Sequence, residues 1–183
     1  PMTSLNPLIK TGKQIAEAGI AKGMSKKQAQ IKAAEIAKQI GLTDTERIFS
    51  SYPHELSGGI RQRIMIASAL ITNPDLLIAD EPTTALDVST QNEILKILKE
   101  ANKKNGTALL LITHDFTVVK KLCTRIYIMY KGKIVEEGET EKVFNFPSHP
   151  YTKALISSIP DPSKKGKKLP SYFDMEFEDE ENI

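Results

Sequence analysis

Little in this sequence is extreme, and what it lacks narrows the field first. Of its 183 residues only Cys123 is a cysteine. A lone thiol makes no internal disulfide and no cysteine-type metal site, and a reducing compartment fits that usage. No apolar run approaches the ~18 residues that a membrane-crossing helix needs. The longest clean one, Ala108 to Ile112, has the length of a strand. No signal-peptide pattern is present. Charge of one sign is scarce as well: a formal net charge of +2 is too small to argue for nucleic acid or an acidic membrane as partner. No internal repeat is visible. What remains is a chain with 26% charged and 40% hydrophobic residues, the balance of a globular domain, long enough to bury a core without covalent staples.

Read along the chain, the first third is helical. Pro7 to Lys22 has a mixed helical pattern broken by Gly23. Ser25 is placed to cap a helix over Lys26 to Ile40, with Ile31, Ala34, Ile36 and Ile40 at roughly helical spacing and Gly41 as its stop. The middle changes character. Leu76 to Ala79 predicts a short buried strand, Val88 to Asn102 a helix, and Asn105-Gly106 a turn. Ala108 to Ile112 predicts a second strand, Phe116 to Leu122 a helix, and Arg125 to Tyr130 a third strand. Lys131 to Lys133 reads as a hairpin turn into Ile134-Val135. Strands alternating with helices predict an α/β fold with a largely parallel sheet. Short helices are expected over Glu139 to Phe146 and Tyr151 to Ser158. Beyond Pro160 a basic run and then an acidic one predict a solvated, disordered tail.

Four clusters carry candidate chemistry. Leu56-Ser57-Gly58-Gly59 stands before an apolar-rich helix. Glycines bring backbone N–H groups close to a ligand, and a helix start favours an anion. Alone, this is as readily a helix cap with a turn. Leu76-Leu77-Ile78-Ala79 runs into Asp80 and Glu81. Two carboxylates at the carboxyl end of a strand lie where α/β sheets bind ligands. Neighbours on an extended chain face different ways, so one acid can serve Mg²⁺ and the other can orient or deprotonate a water; alone, the pair is as readily two solvated acids at a strand end. Asp87, in Ala85-Leu86-Asp87, by itself suits a cap for the Val88 helix. His114, in Thr113-His114-Asp115, could bond a phosphate or water from a strand end, or be purely structural.

In this order the four clusters resemble the signature, Walker B, D-loop and H-loop of the ABC ATPase family. Further stretches resemble its oligopeptide/dipeptide transporter branch: Pro1 to Pro7, Tyr52-Pro53-His54-Glu55, Ala79 to Val88, and His149-Pro150-Tyr151-Thr152-Lys153-Ala154-Leu155. The resemblance covers roughly residues 1–162. No Gly-x-x-x-x-Gly-Lys-Ser/Thr loop occurs, so the family's phosphate-binding loop and Q-loop glutamine are expected upstream of Pro1. No cysteine follows Pro160, so the iron–sulfur cluster of some relatives is not expected.

The resemblance implies a partial P-loop NTPase-like ABC ATPase core with a helical subdomain. Residues 1–72 would follow the Q-loop and carry the helical signature subdomain. Residues 73–138 would form the α/β catalytic core, 139–162 a peptide-transporter-type extension, and 163–183 the charged tail. It further implies ATP and Mg²⁺ as cofactors, with Asp80 serving the metal, Glu81 as general base and His114 at the γ-phosphate. Ser57, Gly58, Gly59 and Asp87 would act across a sandwich of two ATPase subunits, identical or not. Transmembrane permease subunits would be the other partners, at the cytoplasmic face of the membrane, with no nucleic acid. Without a phosphate-binding loop, the 183 residues alone are expected to hold ATP weakly and not to turn it over. Peptide, dipeptide and nickel stay open as cargo. Two other readings also stay open: an ABC ATPase outside transport, and a non-catalytic module that lends its signature face to a partner.

Overall fold

The structure, a computed structural model, describes residues 4–159. The expected tail over 163–183 and the first residues of the Pro1 stretch lie outside that range. The described residues divide into two compact units, the first ending at Ile112 and the second starting at Thr113.

The first unit begins with helices α1 (Thr11–Ala21), α2 (Lys26–Gln39) and α3 (Thr45–Ser50). A single 3₁₀ turn (Pro53–Glu55) then leads into α4 (Gly58–Leu70). Ser25 caps α2 as expected: its side chain accepts from the Gln28 amide, and the Gln28 side chain accepts from the Ser25 amide at 2.9 Å. This reciprocal box satisfies two otherwise orphaned donors. Gly41 ends the helix with a left-handed φ of 77°, a conformation that costs a residue with a Cβ about 1 kcal/mol or more. The buried face of α2 is Ala29, Ala33, Ile36 and Ala37. Ile31 is 54% exposed, so the expected stripe through Ile31 and Ala34 is corrected by one helical step.

The same unit continues with β1 (Leu76–Asp80), α5 (Val88–Asn105) and β2 (Ala108–Ile112). β1 and β2 pair in parallel, with Leu77 opposite Leu109 and Asp80 opposite Ile112. A parallel pair needs a crossover, and α5 provides it. The unit's core gathers Ile15, Ile36, Ile64, Ile71, Leu77, Ile94 and Leu98. β1 is not the fully buried strand expected. Leu77 and Ala79 face the core, whereas Leu76 is 52% and Ile78 is 59% exposed. The pleat sends alternate side chains to opposite faces, and only one face is packed within this unit.

The second unit holds α6 (Phe116–Leu122), β3 (Arg125–Tyr130), β4 (Lys133–Glu139), α7 (Thr140–Asn145) and α8 (Pro150–Ser157). β3 and β4 form an antiparallel hairpin, separate from the parallel pair. The α/β class stands, but the third strand does not extend a parallel sheet among the described residues. Ile126, Ile128 and Val143 form the core here, flanked by Phe116, Val119, Tyr151 and Leu155.

The His149-Pro150-Tyr151 motif has a structural use. Glu136 Oε1 accepts from the Ser148 amide (2.8 Å) and hydroxyl (2.9 Å), and Oε2 accepts from the His149 amide (3.0 Å). His149 Nδ1 in turn accepts from the Tyr151 amide, capping α8. The Tyr151 ring packs on Tyr130 at 4.4 Å between centroids. Burial pushes the Glu136 carboxyl up, but these hydrogen bonds outweigh it and hold the carboxyl at about 2, below its ordinary 4.5. A depressed carboxyl stabilises the fold above its ordinary value and loses that contribution as pH falls toward the folded value. Glu136→Gln should therefore lower the thermal midpoint at neutral pH by roughly 5 °C. The gap to wild type should close between pH 4.5 and about 2. Parallel melting curves over that range check this; a gap independent of pH would contradict it.

Candidate functional site

The carboxyl end of β1 is fixed by its neighbour. Asp80 ends the strand opposite Ile112, and the Glu81 amide donates to the Ile112 carbonyl at 2.9 Å. The chain then turns sharply. Glu81 has a φ of 45° and Ala85 of 60°, left-handed values that cost about 1 kcal/mol or more for residues with a Cβ. Two turns hold that geometry: the Thr84 amide donates to the Glu81 carbonyl (3.3 Å), and the Leu86 amide donates to the Thr83 carbonyl (3.4 Å). The Gln91 side-chain amide also donates to the Thr83 carbonyl at 3.2 Å. The Thr84 hydroxyl donates to Glu81 Oε2 at 2.8 Å. Asp80 is exposed and Glu81 half-buried, so both acids emerge at the strand end, as the sequence led one to expect.

The Ser57 turn is built as a helix start. The Ser57 hydroxyl accepts from the Ile60 amide at 3.4 Å and caps α4. Gly59 is where a side chain cannot go: an added Cβ would lie 2.5 Å from the Thr90 Cγ2. A Cβ added at Gly58 would lie at ordinary contact distance, 3.6 Å, from the Leu86 Cδ2. Thr90 cannot step aside freely. Its amide donates to Asp87 Oδ1 (3.0 Å) and its hydroxyl to Asp87 Oδ2 (2.6 Å). Hydrogen bonds from the Thr90 hydroxyl and amide hold the Asp87 carboxyl below the ordinary carboxylate range. Asp87 is thus the cap of α5. The structure brings Ser57, Gly58 and Gly59 against the Leu86–Thr90 segment.

Arg63 fastens the same corner. Its guanidinium donates to the carbonyls of Ile40 (3.2 Å) and Gly41 (3.0 Å) and pairs with Glu93 on α5. A groove of about 230 Å³ opens beside the turn, lined in part by Ser57, Gly59, Arg63, Thr90 and Glu93. Reasoning from sequence missed Thr84, Thr90, Arg63 and Glu93. Thr90 was open to detection, three residues after a cap aspartate; the others depend on tertiary placement.

His114 belongs to the second unit, exposed in the turn before α6. Its neighbour Asp115 caps α6: Oδ1 accepts from the Thr117 amide (2.8 Å), the Thr117 hydroxyl (2.6 Å) and the Val118 amide (3.4 Å). Burial pushes the Asp115 carboxyl up, and these hydrogen bonds outweigh it, so it lies below the ordinary range.

Among the described residues no group of three or more His, Cys, Asp or Glu is arranged to hold a metal.

Comparison with known proteins supplies the context. A family model described as ABC transporter matches residues 2–84. A second, described as oligopeptide/dipeptide transporter, C-terminal region, matches residues 135–179. The chain is 50% identical over 162 residues to a probable peptide ABC transporter ATP-binding protein, y4tR, of Sinorhizobium fredii, covering 88% of this chain and 48% of that protein. It is 50% identical over 161 residues to the oligopeptide transport ATP-binding protein AppD of Bacillus subtilis, covering 87% and 49%. To the glutathione import ATP-binding protein GsiA of Escherichia coli it is 45% identical, covering 94% of this chain and 28% of that one. The chain thus spans about half the length of the first two relatives. Among solved structures, the dimeric post-hydrolysis state of the ATP-binding cassette MJ0796 bound to ADP and Pi is similar. It has a TM-score of 0.66 and 33% identity, and the match covers 75% of this chain and 59% of that one.

The Gly59–Thr90 contact makes a definite prediction. Alanine in place of glycine favours a helix by about 1 kcal/mol, whereas overpacking costs about 1–3 kcal/mol. Gly59→Ala should therefore lower the thermal midpoint. Adding Thr90→Ser, which removes the obstructing methyl but keeps the hydroxyl on Asp87, should restore it to wild type or above. Melting curves of the single and double variants check this; equal loss in both would contradict it.

Proposed function

The chain belongs to the ABC transporter family, and we propose that it is part of the ATP-hydrolysing subunit of a peptide importer. The observation that carries this reading is the acid pair, Asp80 and Glu81, emerging at the carboxyl end of β1 and pinned there by the Ile112 carbonyl. No Gly-x-x-x-x-Gly-Lys-Ser/Thr loop occurs in the 183 residues, and the roles below are proposed for the assembled ATPase. In that assembly residues 1–72 serve as the signature subdomain and 73–138 as the catalytic core. Residues 139–162 are the peptide-transporter extension, and 163–183 a charged tail.

The roles follow from the chemistry of each group. Asp80 would hold Mg²⁺ through its carboxylate, and that ion would supply positive charge against the phosphates. Glu81 takes a proton from the water whose oxygen bonds to the γ-phosphorus as the bond to ADP breaks. His114 donates to the γ-phosphate or steadies the water. Ser57, Gly58 and Gly59 present a hydroxyl and N–H groups at the start of α4 to a nucleotide bound by a second ATPase subunit, with Asp87 at the same boundary. MJ0796 is a precedent for a dimeric cassette. A homodimer and a heterodimer fit equally.

Peptide cargo is supported by the match over 135–179 and by the peptide-transport relatives. The glutathione importer keeps a small peptide-like cargo within the same reading. Among the described residues no helix is long and apolar enough to cross a membrane. Attachment at the cytoplasmic face through permease subunits is part of the proposal.

Two substitutions in the assembled ATPase test the roles. Glu81→Gln should leave ATP binding in place and lower turnover by about a hundredfold or more, read by nucleotide binding and phosphate release; normal turnover would move the base role elsewhere. Ser57→Arg should block ATP-dependent association of two subunits, read by size-exclusion chromatography. Unchanged association would place the signature turn away from the interface.

A further inference from the structure

We propose that Thr84 is a positioning residue for Glu81, holding one carboxylate oxygen so that the other faces the reacting water. This inference rests on the reading of Glu81 as the base. Two adjacent threonines leave the strand end, and the structure gives them different work. Thr83 is buried, 4% exposed, and its carbonyl takes the Gln91 amide. Thr84 is exposed and packs little, yet it meets residue 81 twice. Its amide donates to the Glu81 carbonyl at 3.3 Å, and its hydroxyl to Glu81 Oε2 at 2.8 Å.

The carboxylate bond is not a helix cap. The next helix, α5, starts at Val88 and is capped by Asp87. The bond closes a small ring on a residue whose backbone already sits in the left-handed region. Glutamate swings about three side-chain torsions, and a free carboxylate there would sample many directions. Fixing the backbone through Ile112 and one oxygen through Thr84 narrows the directions the carboxylate can take. A base that must meet a water within hydrogen-bond reach gains rate from such pre-orientation. The effect belongs to the chemical step and not to nucleotide affinity, because Thr84 itself carries no charge toward the phosphates.

The test is steady-state and single-turnover ATP hydrolysis by the assembled ATPase carrying Thr84→Val, Thr84→Ser, Glu81→Gln, and Glu81→Gln with Thr84→Val. Valine keeps the shape and loses the donor; serine keeps the donor. Thr84→Val should lower kcat about tenfold with KM for ATP unchanged, and Thr84→Ser should stay within about twofold of wild type. In the Glu81→Gln background, Thr84→Val should bring no further loss. Wild-type kcat in Thr84→Val beside a disabled Glu81→Gln would overturn this inference and leave the base reading intact. Equal loss in the valine and serine variants, a raised KM, or an added loss on top of Glu81→Gln would also overturn it, since each marks a structural or binding role. Normal turnover in Glu81→Gln would overturn the base reading, and this inference with it.

Discussion

The hydrogen bond from the Glu81 amide to the Ile112 carbonyl is the contact on which the candidate site depends. It extends the parallel register of β1 and β2 by one residue beyond the last strand pair, Asp80 and Ile112. The chain therefore leaves the sheet only after both acids have been delivered to its carboxyl end. The left-handed backbone at Glu81 is unfavourable by itself and persists because this bond and the turn bonds around Thr83 and Thr84 over-determine it. Strain of this kind gathers where geometry matters more than stability.

The second constraint is a missing side chain. Gly59 lets the start of α4 lie against Thr90, and Thr90 is tied to Asp87 by two hydrogen bonds. The Ser57 turn and the cap of α5 are thus one packed unit within the first compact unit. Arg63 adds a longer tie from α4 to the end of α2 and to Glu93 on α5. The exposed ion pairs along the helices, such as Lys13 with Glu17, contribute little beside this.

Much of this was legible in the sequence where local rules suffice. Ser25 capping α2, Gly41 ending it, α6 over Phe116–Leu122 and both strands of the parallel pair follow from caps, breakers and apolar runs. The four clusters with chemistry were legible because each sits at the end of a strand or the start of a helix. Tertiary context decided the rest. Ile31 points outward because its position falls off the face formed by Ala29, Ala33, Ile36 and Ala37, the one that is packed. Leu76 and Ile78 read as core residues because hydrophobicity alone does not tell which face of a strand is packed. Thr84 and Arg63 carry no periodic signal; their partners are a strained turn in one case and a carbonyl pair more than twenty residues away in the other. The His149-Pro150-Tyr151 motif resembles a family mark in the sequence, and the structure adds a physical reason for it in the Glu136 carboxylate.

The central claim is that the acid pair and the serine–glycine turn serve nucleotide held between two subunits. The most direct measurement is a structure of the assembled ATPase with Mg²⁺ and a non-hydrolysable ATP analogue. The account predicts the metal beside Asp80, the Glu81 carboxylate facing the γ-phosphate of the same nucleotide, and Ser57 on the nucleotide of the opposite subunit. A nucleotide bound away from both acids, or a Ser57 turn covered within its own subunit, would contradict it.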